Sequence, residues 1–194
     1  MPRHVDPEER RKAVVHAAIA IAKRDDIAAV TFRSVAGEKG MSTTAVTHYV
    51  ETRGDLFRLI FEHLSCDWRK DFEARLDQRD PEQALRILID EHLVLDDLGF
   101  LRAAVWFGAL VEAEIRAGLA DWVRDYCHWC EGCMEDLLGR FYLPVPPALA
   151  RDMTMSLVDG ITAQALLAPS EWPARRQLAA VEQLLGMLGV PPRG

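Results

Sequence analysis

The chain has 194 residues, of which 49% are hydrophobic and 27% charged, with a formal net charge of −7. This balance fits an ordinary folded protein with one good core or two small ones, and it excludes a disordered chain. No apolar run approaches the roughly 18 residues that span a membrane, and the start MPRHVDPEERRK carries no apolar signal region, so a cytoplasmic protein without a membrane partner is expected. The charge is uneven: residues 1–58 hold ten Lys/Arg against eight Asp/Glu, or +2, and the remainder thirteen against twenty-two, or −9. A mildly basic head on an acidic body does not suit coating of nucleic acid by the whole surface. It does suit a modular DNA binder whose contacting face alone neutralises phosphate.

In chain order, Asp6-Pro7-Glu8-Glu9 reads as a helix start, with Asp as cap, Pro at the first helical position and Glu9 able to reach back. Val14, Ala17, Ala18 and Ile21 then give an apolar stripe that runs to about Arg24. Arg3, Arg10, Arg11 and Lys12 precede or open this helix, where they meet either phosphate or solvent. Thr31 caps a short helix over Phe32 to Lys39, and Ser42 caps another over Thr43 to Tyr49. Between them Gly40, Met41 and Ser42 allow only a tight turn, with Gly40 free to take the positive φ that reverses the chain. Ala36 is small where two helices cross, and Val35, Met41, Val46 and Tyr49 supply apolar faces for the crossing. Thr52-Arg53-Gly54-Asp55 opens a fourth helix, carried for about 25 residues by Leu56, Phe57, Ile60, Phe61, Leu64 and Trp68.

Asp80-Pro81-Glu82-Gln83 starts a fifth helix with Leu85, Leu88, Ile89 and Leu93 on one face. A break at Asp96 to Gly99 precedes a helix through Trp106 to Ala117, stopped by Gly118, and Leu119 to Phe141 makes the next. After the turn-rich LPVPP come Ala148 to Ala168 and, beyond Pro169 to Pro173, a last helix from Ala174 to Leu188. No β-type alternation and no internal repeat interrupts the series, so the expected fold is all-α.

The stretch TFRSVAGEKGMSTTAVTHYV, residues 31 to 50, is the outline of a helix-turn-helix. With T-R-G-D-L-F after it, it resembles the DNA-binding domain of TetR-family bacterial transcriptional regulators, closest to the BetI-like branch. Three departures stand out: Thr44 where many members have Gly, Thr47 where many have Tyr, and Val50 where Phe is usual. The resemblance implies nine helices, with residues 1–52 as a three-helix DNA-binding head and residues 53–194 as a helical regulatory and dimerisation body. It also implies a homodimer on a double-stranded palindromic operator, because one short helix reads only a few base pairs. Thr43, Thr44 and Ala45 then sit nearest base edges, with Arg33 as a candidate for guanine. Thr31, Ser42, Thr47, His48, Tyr49 and Arg53 mainly hold phosphates.

Two further assignments concern the body. Met153, Met155, Leu157, Val158, Ile161, Leu166 and Leu167 in one late helix, with Leu178, Val181, Leu184, Leu185 and Leu188 in the next, are apolar on more than one side. They fill either the subunit core or a four-helix interface between two copies, and the resemblance favours the second. A small-molecule pocket is expected from Trp106, Glu112, Trp122, Tyr126 and Trp129, with His63 and Trp68 facing in from the fourth helix. Such a wall suits an apolar or cationic ligand, although aromatic rings at helical spacing also build ordinary cores. The BetI-like resemblance raises a choline-type ligand, but effector pockets vary freely on one fold.

Cys127, Cys130 and Cys133, with Cys66 elsewhere, have the spacing of part of a metal-ligand run. On a helix, however, successive i+3 positions rotate by about −60°, so the thiols spread instead of converging. Reduced, inert thiols are expected, with no cofactor and no metal; metal or redox sensing is the alternative. No nucleophile elbow, phosphate loop or paired-His metal helix is present, so the chain is not read as an enzyme. The rival outside the regulator class is a helical interaction or scaffold protein without specific DNA binding.

Overall fold

The computed structural model describes residues 7–75, 79–113 and 117–193, without the side chains of Pro7, Cys66, Asp67, Trp68, Asp71, Arg75 and Ala117. The readings placed on Arg3, Asp6 and the side chains of Cys66 and Trp68 therefore lie outside the described residues. Among the described residues the fold is all-α. Its helices are α1 (Pro7–Arg24), α2 (Phe32–Lys39), α3 (Thr43–Thr47), α4 (Arg53–Arg75), α5 (Pro81–His92), α6 (Asp97–Ala113), α7 (Ala117–Leu138), α8 (Pro147–Leu167) and α9 (Ala174–Met187). A single 3-10 turn, Ile27–Ala29, links α1 to α2.

Caps set most of the boundaries where the sequence places them. Thr52 Oγ1 accepts from Asp55 N at 3.0 Å to open α4, and Asp80 Oδ2 accepts from Glu82 N at 3.1 Å before Pro81 opens α5. Several boundaries differ from expectation, among them the end of α7, which stops at Leu138 and not Phe141. The last turn before Tyr49 tightens into an i→i+3 bond, Tyr49 N to Val46 O at 2.9 Å, so α3 ends at Thr47. The break at Asp96 to Gly99 shrinks to a cap, because Asp96 Oδ1 accepts from Gly99 N at 2.7 Å and the helix starts at Asp97. Gly118 lies in the first turn of α7 and stops nothing: among the described glycines only Gly40 and Gly189 take the positive φ that reverses a helix end.

The chain divides into two compact units. Unit 1 comprises residues 1–67 and 104–123, so it holds α1 to α3, the first part of α4, the end of α6 and the start of α7. Its interior contains Val14, Ala18, Ile21, Val30, Val35, Val46, Leu56, Ile60, Val105 and Ala109. Two glycines let helices approach closely there. A Cβ on Gly108 would stand 2.9 Å from Phe57 Cε2, and one on Gly54 would stand 2.4 Å from Leu119 Cδ2.

Unit 2 comprises residues 68–103 and 124–194. Its core joins Phe72, Leu85, Leu88, Ile89, Met134, Leu137, Leu138, Val158, Ile161, Val181 and Leu185. Buried polar groups pin this core by specific bonds. Gln177 of α9 is almost fully buried; its Nε2 donates to Val94 O and Trp172 O, and its Oε1 accepts from Val94 N at 3.0 Å. Arg86 of α5 is bonded through two nitrogens to Glu182 of α9, at 3.0 and 2.9 Å.

His92 at the end of α5 places Nδ1 2.7 Å from Leu88 O, and because a carbonyl only accepts, that nitrogen carries the proton. Nε2 is then the acceptor for Tyr126 Oη at 3.5 Å and Cys130 Sγ at 3.4 Å. Burial holds the His92 imidazole below its usual range and raises Tyr126 well above its own. Burial likewise pushes the Cys130 thiol up to about 12, outweighing its interaction with the Tyr126 hydroxyl, which lowers it.

Two predictions follow from this interior. Gln177→Leu leaves the Val94 N–H and C=O without partners, and urea unfolding should show a loss of about 1–3 kcal/mol for each orphaned group. Because the folded Cys130 thiol holds its proton to about 12 against 9.0 for an ordinary thiol, the native state binds more protons in that window. Stability should therefore fall as pH rises from 9.0 toward about 12, and Tyr126 acts in the same direction above its ordinary 10.0. Cys130→Ala should flatten the alkaline slope of a pH series of unfolding midpoints; an unchanged slope would show that the thiol is not its source.

Candidate nucleic-acid interface

The helix-turn-helix is built from three local devices. Thr31 and Ser34 form a reciprocal capping box, with Ser34 N to Thr31 Oγ1 at 3.1 Å and Thr31 N to Ser34 Oγ at 2.9 Å. Gly40 ends α2 at φ 62°, ψ 30°, a left-handed conformation that costs glycine no Cβ clash. Ser42 Oγ then accepts from Ala45 N at 3.1 Å and fixes the start of α3. Val35 and Ala36 on α2 and Val46 on α3 are buried, so the crossing fixes which sides face outward.

Thr43, Thr44, Thr47 and His48 are exposed, Ala45 and Tyr49 half-buried, and the His48 and Tyr49 rings meet edge to face at 5.1 Å. On α2, Arg33 is exposed and forms no ion pair or hydrogen bond among the described residues; Arg10, Arg11, Lys12 and Lys39 are likewise unpaired. Besides the capping hydroxyls of Thr31 and Ser42, two more of the sequence-assigned groups are engaged within the protein. Thr47 Oγ1 donates to Thr44 O at 3.2 Å. Arg53 donates from Nε to Val30 O at 3.2 Å and from Nη2 to Ile27 O and Ala28 O at 3.3 Å, while its guanidinium lies 4.9 Å over the Phe57 ring. Sequence spacing could not reveal this second role of Arg53, because its acceptors lie more than twenty positions away.

Of the residues assigned to an effector wall, some belong to unit 1 and some to unit 2. In unit 1, Trp106 and Trp122 pack on each other and on Phe61, with centroids 6.1, 5.3 and 5.8 Å apart. Glu112, also in unit 1, lies beside Gly54 and forms no ion pair or hydrogen bond among the described residues. In unit 2, Tyr126 bonds to His92, while Trp129 packs on Phe72 and carries Arg69 4.2 Å over its ring. His63 does not face inward as expected. It is exposed and meets His16 of α1, because Ile60, Phe61 and Ser65 occupy the buried arc of α4. The side chain of Trp68 is outside the described residues.

Cys130 is buried and Cys127 and Cys133 are half-buried, with all three thiols raised chiefly by burial. Among the described residues no group of three or more His, Cys, Asp or Glu is placed to hold a metal ion. Also among the described residues, no helix is long and apolar enough to cross a membrane.

The comparisons with known proteins agree with this architecture. Residues 81–189 match the family described as "BetI-type transcriptional repressor, C-terminal". The HTH-type transcriptional regulator PksA of Bacillus subtilis (strain 168) is 26% identical over 181 residues, covering 87% of this chain and 84% of PksA. A transcriptional regulator from Rhodococcus sp. Rha1 superposes with a TM-score of 0.75 at 22% identity, covering 92% of this chain and 95% of its own. A regulator from Saccharomonospora viridis, crystallised in complex with choline, reaches a TM-score of 0.78 at 14% identity, with 92% and 96% covered. A family match over more than half of the chain, joined to a helix-turn-helix with its recognition face exposed, places the protein in the BetI-type branch of the TetR family of DNA-binding transcriptional regulators.

Proposed function

We propose that this regulator is a cytoplasmic homodimeric repressor that reads a palindromic operator and is released from it by a small-molecule effector. Residues 1–52 are the DNA-binding domain in this reading and residues 53–194 the regulatory and dimerisation domain. The observation that carries it is α3 itself: Val46 is fully buried, while Thr43, Thr44, Thr47 and His48 face outward beside the unpaired Arg33. Thr43, Thr44 and Ala45 approach base edges and Arg33 a guanine. Thr31, Ser42, Thr47, His48, Tyr49 and Arg53 set the pose on phosphates, with the α1 cations Arg10, Arg11 and Lys12 alongside. Thr47 must turn its hydroxyl from Thr44 O to donate to a phosphate, and Arg53 reaches one with the donors its carbonyl bonds leave over.

The late helices support the dimer. Val158, Ile161, Val181, Leu185 and Leu188 are buried within the subunit, but Leu167 is 81% exposed and Met187 67%. Leu149, Met153, Ser156, Gly160 and Leu167 fall at helical spacing on the exposed side of α8, and a Cβ at Gly160 or at Gly186 of α9 would meet nothing within 4 Å. An open apolar stripe with small residues at its middle suits close packing by the same helices of a second copy.

For the effector, the choline complex of the Saccharomonospora viridis relative supports the general class of small ligands, and the Trp106–Trp122 pair with the free Glu112 carboxylate suits an apolar or cationic one. Gly54 of α4 touches both Glu112 of α6 and Leu119 of α7, so a ligand that moves α6 or α7 there moves the start of α4. Release requires that the ligand bind the DNA-competent and incompetent arrangements with different affinity.

Fluorescence anisotropy with the DNA upstream of the protein's own gene, at two salt concentrations and with unrelated competitor, should show selective dimeric binding that weakens with salt. Arg33→Ala should lower affinity by about 1–3 kcal/mol, and more for some operator variants than for others, whereas Thr47→Val should weaken all sequences alike. A selective effect of Thr47 would overturn its assignment, and binding equal on all DNA would mean either that the operator lies elsewhere, which selection of bound genomic fragments would reveal, or that this chain lacks specific DNA binding. The double variant Leu167→Glu, Met187→Glu should sediment as a monomer with unchanged helicity; a persisting dimer would move the interface away from α8 and α9.

A further inference from the structure

α1 and α4 meet in unit 1 through a pair of imidazoles that the regulatory reading does not use. His16 on α1 and His63 on α4 are both exposed, with ring centroids 5.0 Å apart and planes inclined at 70°. Neither ring forms a hydrogen bond or ion pair among the described residues, so both keep a nitrogen lone pair available. The separation is the one a shared metal ion requires. With a metal–nitrogen bond of about 2.0–2.1 Å, a bound imidazole places its centroid about 3.2 Å from the ion, and two such rings at a near-tetrahedral angle have centroids about 5 Å apart.

We propose that His16 and His63 form a two-imidazole site for a divalent transition metal of the zinc, nickel or copper class, which clasps α1 to α4. Imidazole suits these borderline ions, whereas magnesium and calcium need oxygen ligands that the pair lacks. No third His, Cys, Asp or Glu joins them among the described residues, so water completes the coordination. The site is therefore an open, reversible one, unlike a closed structural zinc. The thiols of α7 compete poorly: burial keeps Cys127, Cys130 and Cys133 protonated at neutral pH, and the thiolate is the ligand form. His92 is excluded as well, since Nδ1 is bonded to Leu88 and Nε2 faces Tyr126 and Cys130. The ion ties the first helix of the head to the helix that leaves it, and the site stands whether or not the operator and effector roles hold.

The test is a titration of the full chain with zinc chloride at about pH 7.5, followed by NMR of the histidine ring signals. Two of the six histidines, assigned by their absence in His16→Gln and His63→Gln, should shift together and saturate at a single zinc per chain. Each of these surface variants should retain the wild-type circular dichroism and bind zinc at least about tenfold more weakly. The proposal is overturned if a tenfold molar excess of zinc leaves both rings unmoved, if other histidines shift in their place, or if either variant binds zinc as tightly as the wild type.

Discussion

The seat of α4 is the constraint on which unit 1 depends. Thr52 and Asp55 cap its start, Arg53 donates to three backbone carbonyls between α1 and α2, and Gly54 leaves no room for a Cβ against Leu119. Phe57, one turn on, lies under the Arg53 guanidinium and against Gly108 of α6. Arg53, Gly54 and Phe57 thus tie the α1–α2 connection to α6 and α7. Ile27 O accepts from Val30 N at 3.1 Å within the short turn, and the Arg53 guanidinium adds a donor to it and to the carbonyls of Ala28 and Val30. A displacement of α6 or α7 at this point must move α4 or force an atomic overlap, and a moving α4 must carry or break those bonds. Close packing of this kind converts small shifts into discrete rearrangements.

Much of this was legible in the sequence where the signal is local. Thr31, Ser42, Thr52 and Asp80 announce their helices because a cap is made within three residues, and Gly40 announces its turn because only a left-handed residue closes it. The same local reading misplaced Gly118, since a glycine stops a helix only when the following chain leaves it, which residue identity does not record. What escaped depends on contacts distant in sequence: that His63 turns to His16, that Arg53 serves the α1–α2 turn, and that Gln177 spans α9 and the α5–α6 link. Helical periodicity marks Met153, Val158, Ile161 and Leu167 alike as apolar. Only the fold divides them into interior and open surface.

The aromatic residues illustrate the same limit in chemical terms. Trp122, Tyr126 and Trp129 form one stripe by spacing; within unit 1 Trp122 packs on Trp106 and Phe61, and within unit 2 Tyr126 packs on Trp129, which lies against the core. Burial bears on the cysteines as spacing does not. A thiol held up to about 12 is neutral under ordinary conditions, which makes Cys130 a small hydrophobic group next to His92.

The composition of the head bears on how the proposed recognition divides its labour. In residues 1–58 the basic excess is only +2, and within it Arg24 is paired with Asp25 and Glu38, Arg58 with Glu62, and Arg53 with carbonyls. The cations left for phosphate are Arg10, Arg11, Lys12, Lys39 and a few others, so electrostatics alone gives a single head weak hold on DNA. α3 presents threonines and an alanine, whose methyl groups suit thymine methyls and whose hydroxyls accept or donate as the base requires. Arg33 is then the one strong hydrogen-bond reader beside them. A head with few phosphate contacts and one strong base contact gains operator affinity chiefly by binding twice, and linking two weak heads raises avidity by orders of magnitude only while both half-sites are in reach. Under the proposed mechanism an effector therefore need not alter any DNA-contacting residue: a change in the separation of the heads is enough to turn selective binding into weak binding.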